Sequence, residues 1–127
     1  MRIAVIGTGG VGGYFGARLS EAGEDVTFIA RGAHLEAMKN KGLAIHSPLG
    51  NMHLDKIQCT DDPSTIAPVD IVMIAVKLWA TNEAIEAARP LLSEGTGIIS
   101  FQNGILAEEL LLKAFTKPHA MGGVANI

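Results

Sequence analysis

Arg2-Ile3-Ala4-Val5-Ile6-Gly7-Thr8-Gly9-Gly10-Val11-Gly12 joins an unbroken apolar run to three spaced glycines. An unbroken apolar run suits a strand buried on both faces, as in a parallel sheet. After the glycines, Val11, Phe15, Leu19 and Ala22 recur on one face of a helix, and Gly23 ends it. Val26 to Ala30 reads as a second strand. Strand, glycine loop, helix and strand therefore close within about 30 residues, the length of one βαβ unit. Gly-x-Gly-x-x-Gly in that context binds dinucleotides. Gly7 permits the tight turn, Gly9 lets backbone approach a pyrophosphate, and Gly12 lets helix pack on strand. Gly10 and Val11 open the helix, whose free N–H groups and positive dipole end face the phosphates, with Thr8 in the same loop.

The rest of the chain continues the alternation. Gly32 to Lys41 reads as a short helix with Leu35 and Met38 inward and Gly42 as its stop. Leu43, Ile45, Met52 and Leu54 alternate around a Ser47-Pro48-Leu49-Gly50 turn, a hairpin signature. The alternation shifts by one at Ile57 and Cys59, which predicts a bulge near Asp55 and Lys56. Asp62-Pro63 reads as a helix cap followed by proline at the first helical position. Ile71 to Val76 is the most apolar run and is expected at the centre of the sheet. A helix from Thr81 to Arg89, limited by Pro90, and a strand from Gly97 to Phe101 follow. A helix from Ile105 to Phe115 and a strand beginning at His119 complete the pattern. The fold class is α/β: a Rossmann-type, doubly wound, mostly parallel sheet with helices on both faces.

Composition narrows the function. The 127 residues are 48% hydrophobic and 18% charged, which suits one well-buried domain. A net charge of −3 disfavours nucleic-acid binding. The longest apolar run falls far short of a membrane span. Six glycines between Arg2 and Arg18 do not suit the apolar helix of an export signal. The single cysteine, Cys59, allows no internal disulfide and fits a reducing, cytoplasmic setting. His34, His46, His53, His119 and Cys59 lack metal-ligand spacing, so no metal site is expected.

Ligands of doubly wound sheets bind beyond the carboxyl ends of the strands. The glycine loop, Arg31, Lys77 and Gln102-Asn103-Gly104 each follow a predicted strand and are expected to converge on one crevice. Arg31 stands where NAD-binding proteins place an acid for the ribose hydroxyls. A guanidinium there pairs with a 2′-phosphate instead, which points to NADP. Lys77 brings an ammonium close to the nicotinamide ribose or substrate, and the Asn103 amide can both donate and accept there. Trp79 is expected to pack as an apolar anchor.

Together, the glycine loop, Ala30-Arg31-Gly32, Val76-Lys77-Leu78-Trp79 and Gln102-Asn103-Gly104 resemble the ketopantoate reductase (2-dehydropantoate 2-reductase) family along the whole chain. The resemblance implies NADPH-dependent reduction of 2-dehydropantoate to pantoate, a step toward pantothenate and coenzyme A. It implies cofactor contacts from Gly7, Thr8, Gly9, Gly10, Val11, Gly12, Arg31, Lys77 and Asn103, the last two also touching substrate. Family members continue into a helical C-terminal substrate domain that carries the general acid. The expectation is a dinucleotide-binding domain over residues 1–127, truncated at its C-terminal end, with no catalytic residue of its own and no turnover alone. A small 2-keto acid is the expected partner, and an uncovered apolar surface and self-association as a homodimer are expected as well. Two alternatives stand beside it. One is a non-enzymatic nucleotide-sensing Rossmann domain, against which Arg31 argues. The other is a reductase of a different 2-keto acid.

Overall fold

The computed structural model describes residues 1–7, 10–45, 51–54, 57–66, 68–76, 81–93, 95–100 and 120–122. Strand β1 (Arg2–Ile6) leads into α1 (Gly10–Glu21) and β2 (Asp25–Ile29). Next come α2 (Gly32–Lys41), the paired strands β3 (Leu43–Ile45) and β4 (Met52–Leu54), and β5 (Gln58–Thr60). The chain continues through β6 (Ile71–Ile74), α3 (Thr81–Ala88), β7 (Gly97–Ser100) and β8 (Ala120–Gly122). Short 3-10 turns stand at Pro63–Thr65 and Arg89–Leu91. The predicted helix from Ile105 to Phe115 and the Ser47–Gly50 turn lie outside the described residues.

Six strands form one sheet in the order β5-β2-β1-β6-β7-β8, and every neighbouring pair is parallel. This is the order of a doubly wound dinucleotide-binding sheet. From β1 the chain steps one way to β2; from β6 it steps the other way to β7. Right-handed crossovers then place the two sets of helices on opposite faces. The side chains of β1 show this directly. Ile3 and Val5 join Val26, Phe28, Met38 and Met73, with Phe15 and Leu19 of α1 packed against them. Ala4 and Ile6 join Val72, Ile74 and Ile98 beneath Ala84, Ile85 and Ala88 of α3. The expectation that Ile71 to Val76 is central holds, since β6 lies third from one edge beside β1.

The helix ends follow the local chemistry. At the end of α1, Gly23 has φ +98°. Its N–H bonds to the Ser20 carbonyl at 3.1 Å, and the Glu24 N–H bonds to the Leu19 carbonyl at 3.1 Å. That pair of bonds is a Schellman cap, which a glycine in the left-handed region closes without strain. Asp62 caps the following 3-10 turn by accepting from the Ser64 N–H at 3.1 Å, with Pro63 at its start. At the opposite end of the sheet, Asp70 ties three strands together. Its carboxylate accepts from the Arg2 N–H at 2.8 Å, and its carbonyl accepts from the Gly97 N–H at 2.9 Å.

Asp55 and Lys56, where a bulge is expected, lie outside the described residues, but the strands on either side of them belong to different sheets. β4 pairs antiparallel with β3 in a separate two-stranded sheet, Leu43 facing Leu54, whereas β5 pairs parallel with β2, Phe28 facing Cys59. A change of partner reverses the inward face of a strand just as an inserted residue does, because the side-chain period is two. β6 is shorter than predicted and stops at Ile74, while Phe101, His119 and residues 123–127, which bound the other two predicted strands, lie outside the described residues.

Beside α1, an apolar groove of about 400 Å³ is lined by Ile3, Phe15, Leu19, Ile71, Met73 and Ile99. No helix among the described residues is long and apolar enough to cross a membrane.

Candidate functional site

The candidate site lies at the carboxyl ends of β1, β2 and β6. Backbone pairing of β1 with β6 continues to that edge, where the Ala75 N–H bonds to the Ile6 carbonyl at 2.8 Å. On the other side the Ala30 N–H bonds to the Thr60 carbonyl at 3.0 Å, holding the ends of β2 and β5 level. Between these edges opens a crevice of about 300 Å³. Its apolar floor comes from Ile6, Ile29, Ala30, Val76, Ala84 and Ala87, and Arg31, His34, Asp61 and Glu83 stand around it.

Gly7 borders this crevice with φ +94°, a conformation that side chains make costly. A Cβ on Gly7 would stand 2.7 Å from the carbonyl carbon of Ala75 and 2.8 Å from Cγ1 of Val76. The turn after β1 thus passes directly over the end of β6. Gly12 is the third residue of α1, and a Cβ there would overlap the Gly7 carbonyl oxygen and reach within 3.1 Å of the Ala75 Cβ. These two contacts bring the start of α1 down onto the sheet edge. Gly16 extends the same close approach: its Cβ would meet Phe28 Cε1 at 2.5 Å. The glycines at residues 7, 12 and 16 let the turn after β1 and the body of α1 lie close against the sheet. Gly10 and Val11 form the first turn of that helix.

Arg31 follows β2, as the sequence predicts. Its backbone is extended, φ −149° and ψ 165°, in the cap position of α2. No side-chain hydrogen bond caps that helix, and Gly32 behind it has φ +65°. The Arg31 guanidinium is 79% exposed and reaches across the crevice mouth, where Nη2 donates to Glu83 Oε2 at 2.6 Å. Glu83 is in the first turn of α3, fixed by its buried neighbours Ala84 and Ile85.

Of the residues singled out in the sequence, the structure brings Gly7, Gly12 and Arg31 together at one sheet edge, with Val76 beside them. Thr8, Gly9, Lys77, Trp79 and Asn103 lie outside the described residues. Three crevice residues escaped the sequence reading: His34, Asp61 and Glu83. Glu83 had a usable signal. A residue in the first turn of a helix that follows a parallel strand stands at the ligand edge of the sheet. Asp61 had none, because β5 read as a continuation of the hairpin. Cys59 is half-buried in β5, and burial pushes its thiol up from the ordinary value. It is therefore protonated at neutral pH and not poised as a nucleophile. Among the described residues, no three His, Cys, Asp or Glu side chains cluster as metal ligands do.

The apolar floor suits a flat heteroaromatic base. The glycine turn and α1 N-terminus suit a pyrophosphate, and Arg31 beside the uncapped start of α2 suits a further phosphate. The donor set therefore fits a phosphorylated dinucleotide.

Comparison with known proteins agrees with this geometry. Residues 3–127 match the family model described as Ketopantoate reductase PanE/ApbA. A 2-dehydropantoate 2-reductase of Archaeoglobus fulgidus is 40% identical over 98% of this chain and 39% of its own length. The uncharacterized oxidoreductase YkpB of Bacillus subtilis is 39% identical over 100% of this chain and 41% of its own. The crystal structure of 2-dehydropantoate 2-reductase from Geobacter metallireducens superposes with a TM-score of 0.93 at 39% identity, covering 99% of this chain and 42% of that one. The chain thus spans about two fifths of the length of the relatives it matches.

Proposed function

Because this chain belongs to the ketopantoate reductase family, we propose that it is the cofactor-binding part of an NADPH-dependent 2-dehydropantoate 2-reductase, producing pantoate for pantothenate and coenzyme A. The observation that carries the reading is the position of Arg31. It stands at the end of β2, at the mouth of the crevice, in the place where an NAD-binding site holds a carboxylate. Family membership favours a reductase over a nucleotide-sensing regulatory domain.

When bound, the nicotinamide cofactor supplies a hydride to the keto carbon of the substrate. The protein's own part is to bind and orient. The turn at Gly7 and the first turn of α1 present backbone N–H groups to the pyrophosphate, with Thr8 and Gly9 completing the loop. Ile29, Ala30 and Ala87 exclude water from the adenine. Arg31 and the start of α2 hold the 2′-phosphate. Lys77, which follows Val76 at the crevice, and Asn103 orient the nicotinamide ribose and the keto acid. The general acid is assigned to a helical domain following the dinucleotide-binding domain in the whole protein.

Calorimetric titration with NADPH and NADH tests the reading. NADPH is expected to bind about tenfold to a hundredfold more tightly, since a hydrogen bond to a charged group contributes about 1.5–3 kcal/mol. Equal affinities would overturn the NADP assignment.

A further inference from the structure

Arg31 already has a partner in the free protein: Glu83 Oε2 accepts from its Nη2 at 2.6 Å across the crevice mouth. Both side chains are largely exposed, 79% and 68%. They come from elements on opposite sides of the switch point, β2 and α3, and 52 residues separate them in sequence. Asp61 lines the same crevice and adds a second carboxylate to it. The guanidinium that would recognise a 2′-phosphate is thus neutralised by a carboxylate before any ligand arrives.

We propose that Glu83 sets the cofactor preference of this site by competing with the 2′-phosphate for Arg31. The inference rests on the dinucleotide reading of the crevice and deepens it. A 2′-phosphate reaching Arg31 meets Glu83 on the same donor. The phosphate brings close to two negative charges, so the two anions cannot share one guanidinium without repulsion. Binding of the phosphorylated dinucleotide therefore exchanges one partner of Arg31 for another, whereas a dinucleotide lacking that phosphate leaves the ion pair intact. Exposed ion pairs are individually weak, so the exchange is cheap and Glu83 tunes the preference without abolishing it. Its fixed place on α3 makes it a standing competitor, since Ala84 and Ile85 anchor that turn in the core.

The test is calorimetric titration of the full chain with NADP⁺ and NAD⁺, comparing the parent with Glu83→Gln, Arg31→Ala and the double variant. Glu83→Gln keeps the side-chain shape and is expected to raise the NADP⁺/NAD⁺ affinity ratio about two- to fivefold, the range expected for an exposed pair. The gain should shrink in high salt, where exposed charges are screened. With Arg31→Ala already present, Glu83→Gln should leave the ratio unchanged, because the two residues act as one unit. If both dinucleotides bind and Glu83→Gln leaves the ratio unchanged, the competition is refuted. A gain that persists without Arg31 would also overturn it, since Glu83 would then act by direct repulsion alone. If neither dinucleotide binds the parent chain, the cofactor-site reading itself falls, and this inference with it.

Discussion

The α-carbon of Gly12 lies so close to the carbonyl oxygen of Gly7 that no Cβ fits between them. Gly7 and the start of α1 are thus packed together, and Ala75 at the end of β6 lies against both. Gly12→Ala must therefore shift backbone, because a carbonyl cannot rotate aside as a flexible side chain would. Gly16→Ala meets the ring of Phe28, itself 0% exposed, at 2.5 Å and is less tight than Gly12→Ala but still overpacked. Overpacking of this kind costs about 1–3 kcal/mol. Urea unfolding of both variants should show that loss, and unchanged midpoints would mean that α1 stands further from the sheet.

Gly9→Val is expected to separate binding from folding. In Gly-x-Gly-x-x-Gly motifs the central glycine is the one that lets backbone approach a pyrophosphate. Cofactor affinity should fall by tenfold or more while the unfolding free energy stays within about 0.5 kcal/mol of the parent. Unchanged affinity in a titration would place the phosphates elsewhere.

Arg31→Asp should abolish the preference for NADPH and leave NADH binding intact or improved. The carboxylate repels a 2′-phosphate and accepts from ribose hydroxyls. Stability should hardly change, because the side chain is 79% exposed and its ion pair with Glu83 is a surface one. Fluorescence titration with both reduced cofactors decides, and a retained NADPH preference would remove Arg31 from the phosphate site.

In the corresponding full-length enzyme, Lys77→Ala and Asn103→Ala should lower kcat or raise KM for the keto acid without unfolding the protein. Both are polar and follow β6 and β7 in sequence. Steady-state kinetics beside thermal unfolding separates the two effects. Full activity in both variants would reduce these positions to turn residues.

The 127-residue chain is expected to bind NADPH without oxidising it when 2-dehydropantoate is added. A positioned general acid contributes about 10²–10⁴-fold, and loss of substrate orientation costs more. Absorbance at 340 nm with purified chain provides the measurement. Turnover at the rate of the full-length enzyme would show that the proton donor lies within these residues.

The order of elements was legible in the sequence because each carries a strong local signal. Ile3 to Ile6 is buried in β1 as the apolar run requires, and Gly23 closes α1 with the predicted cap. Leu35 and Met38 are the buried residues of α2, and Asp62-Pro63 starts a 3-10 turn. The change of sheet between Leu54 and Gln58 was not legible. Alternation reports which face of a strand is apolar but not which strand lies beside it. A one-residue shift therefore reads alike as a bulge or as a new partner.

The sequence by itself determined the doubly wound class and the glycine turn, and it located Arg31 at the end of a strand. Those features depend on short-range chemistry: periodicity, caps and the steric freedom of glycine. Only the tertiary structure decided what Arg31 meets. Its partner Glu83 lies 52 residues away on a helix from the other half of the sheet, beyond any local pattern. The reversal of strand order between β1 and β6 creates the crevice, and helices approaching from opposite faces bring the guanidinium and the carboxylate to the same mouth. The charge balance of the site follows from that topology, because residues remote in sequence share one sheet edge there.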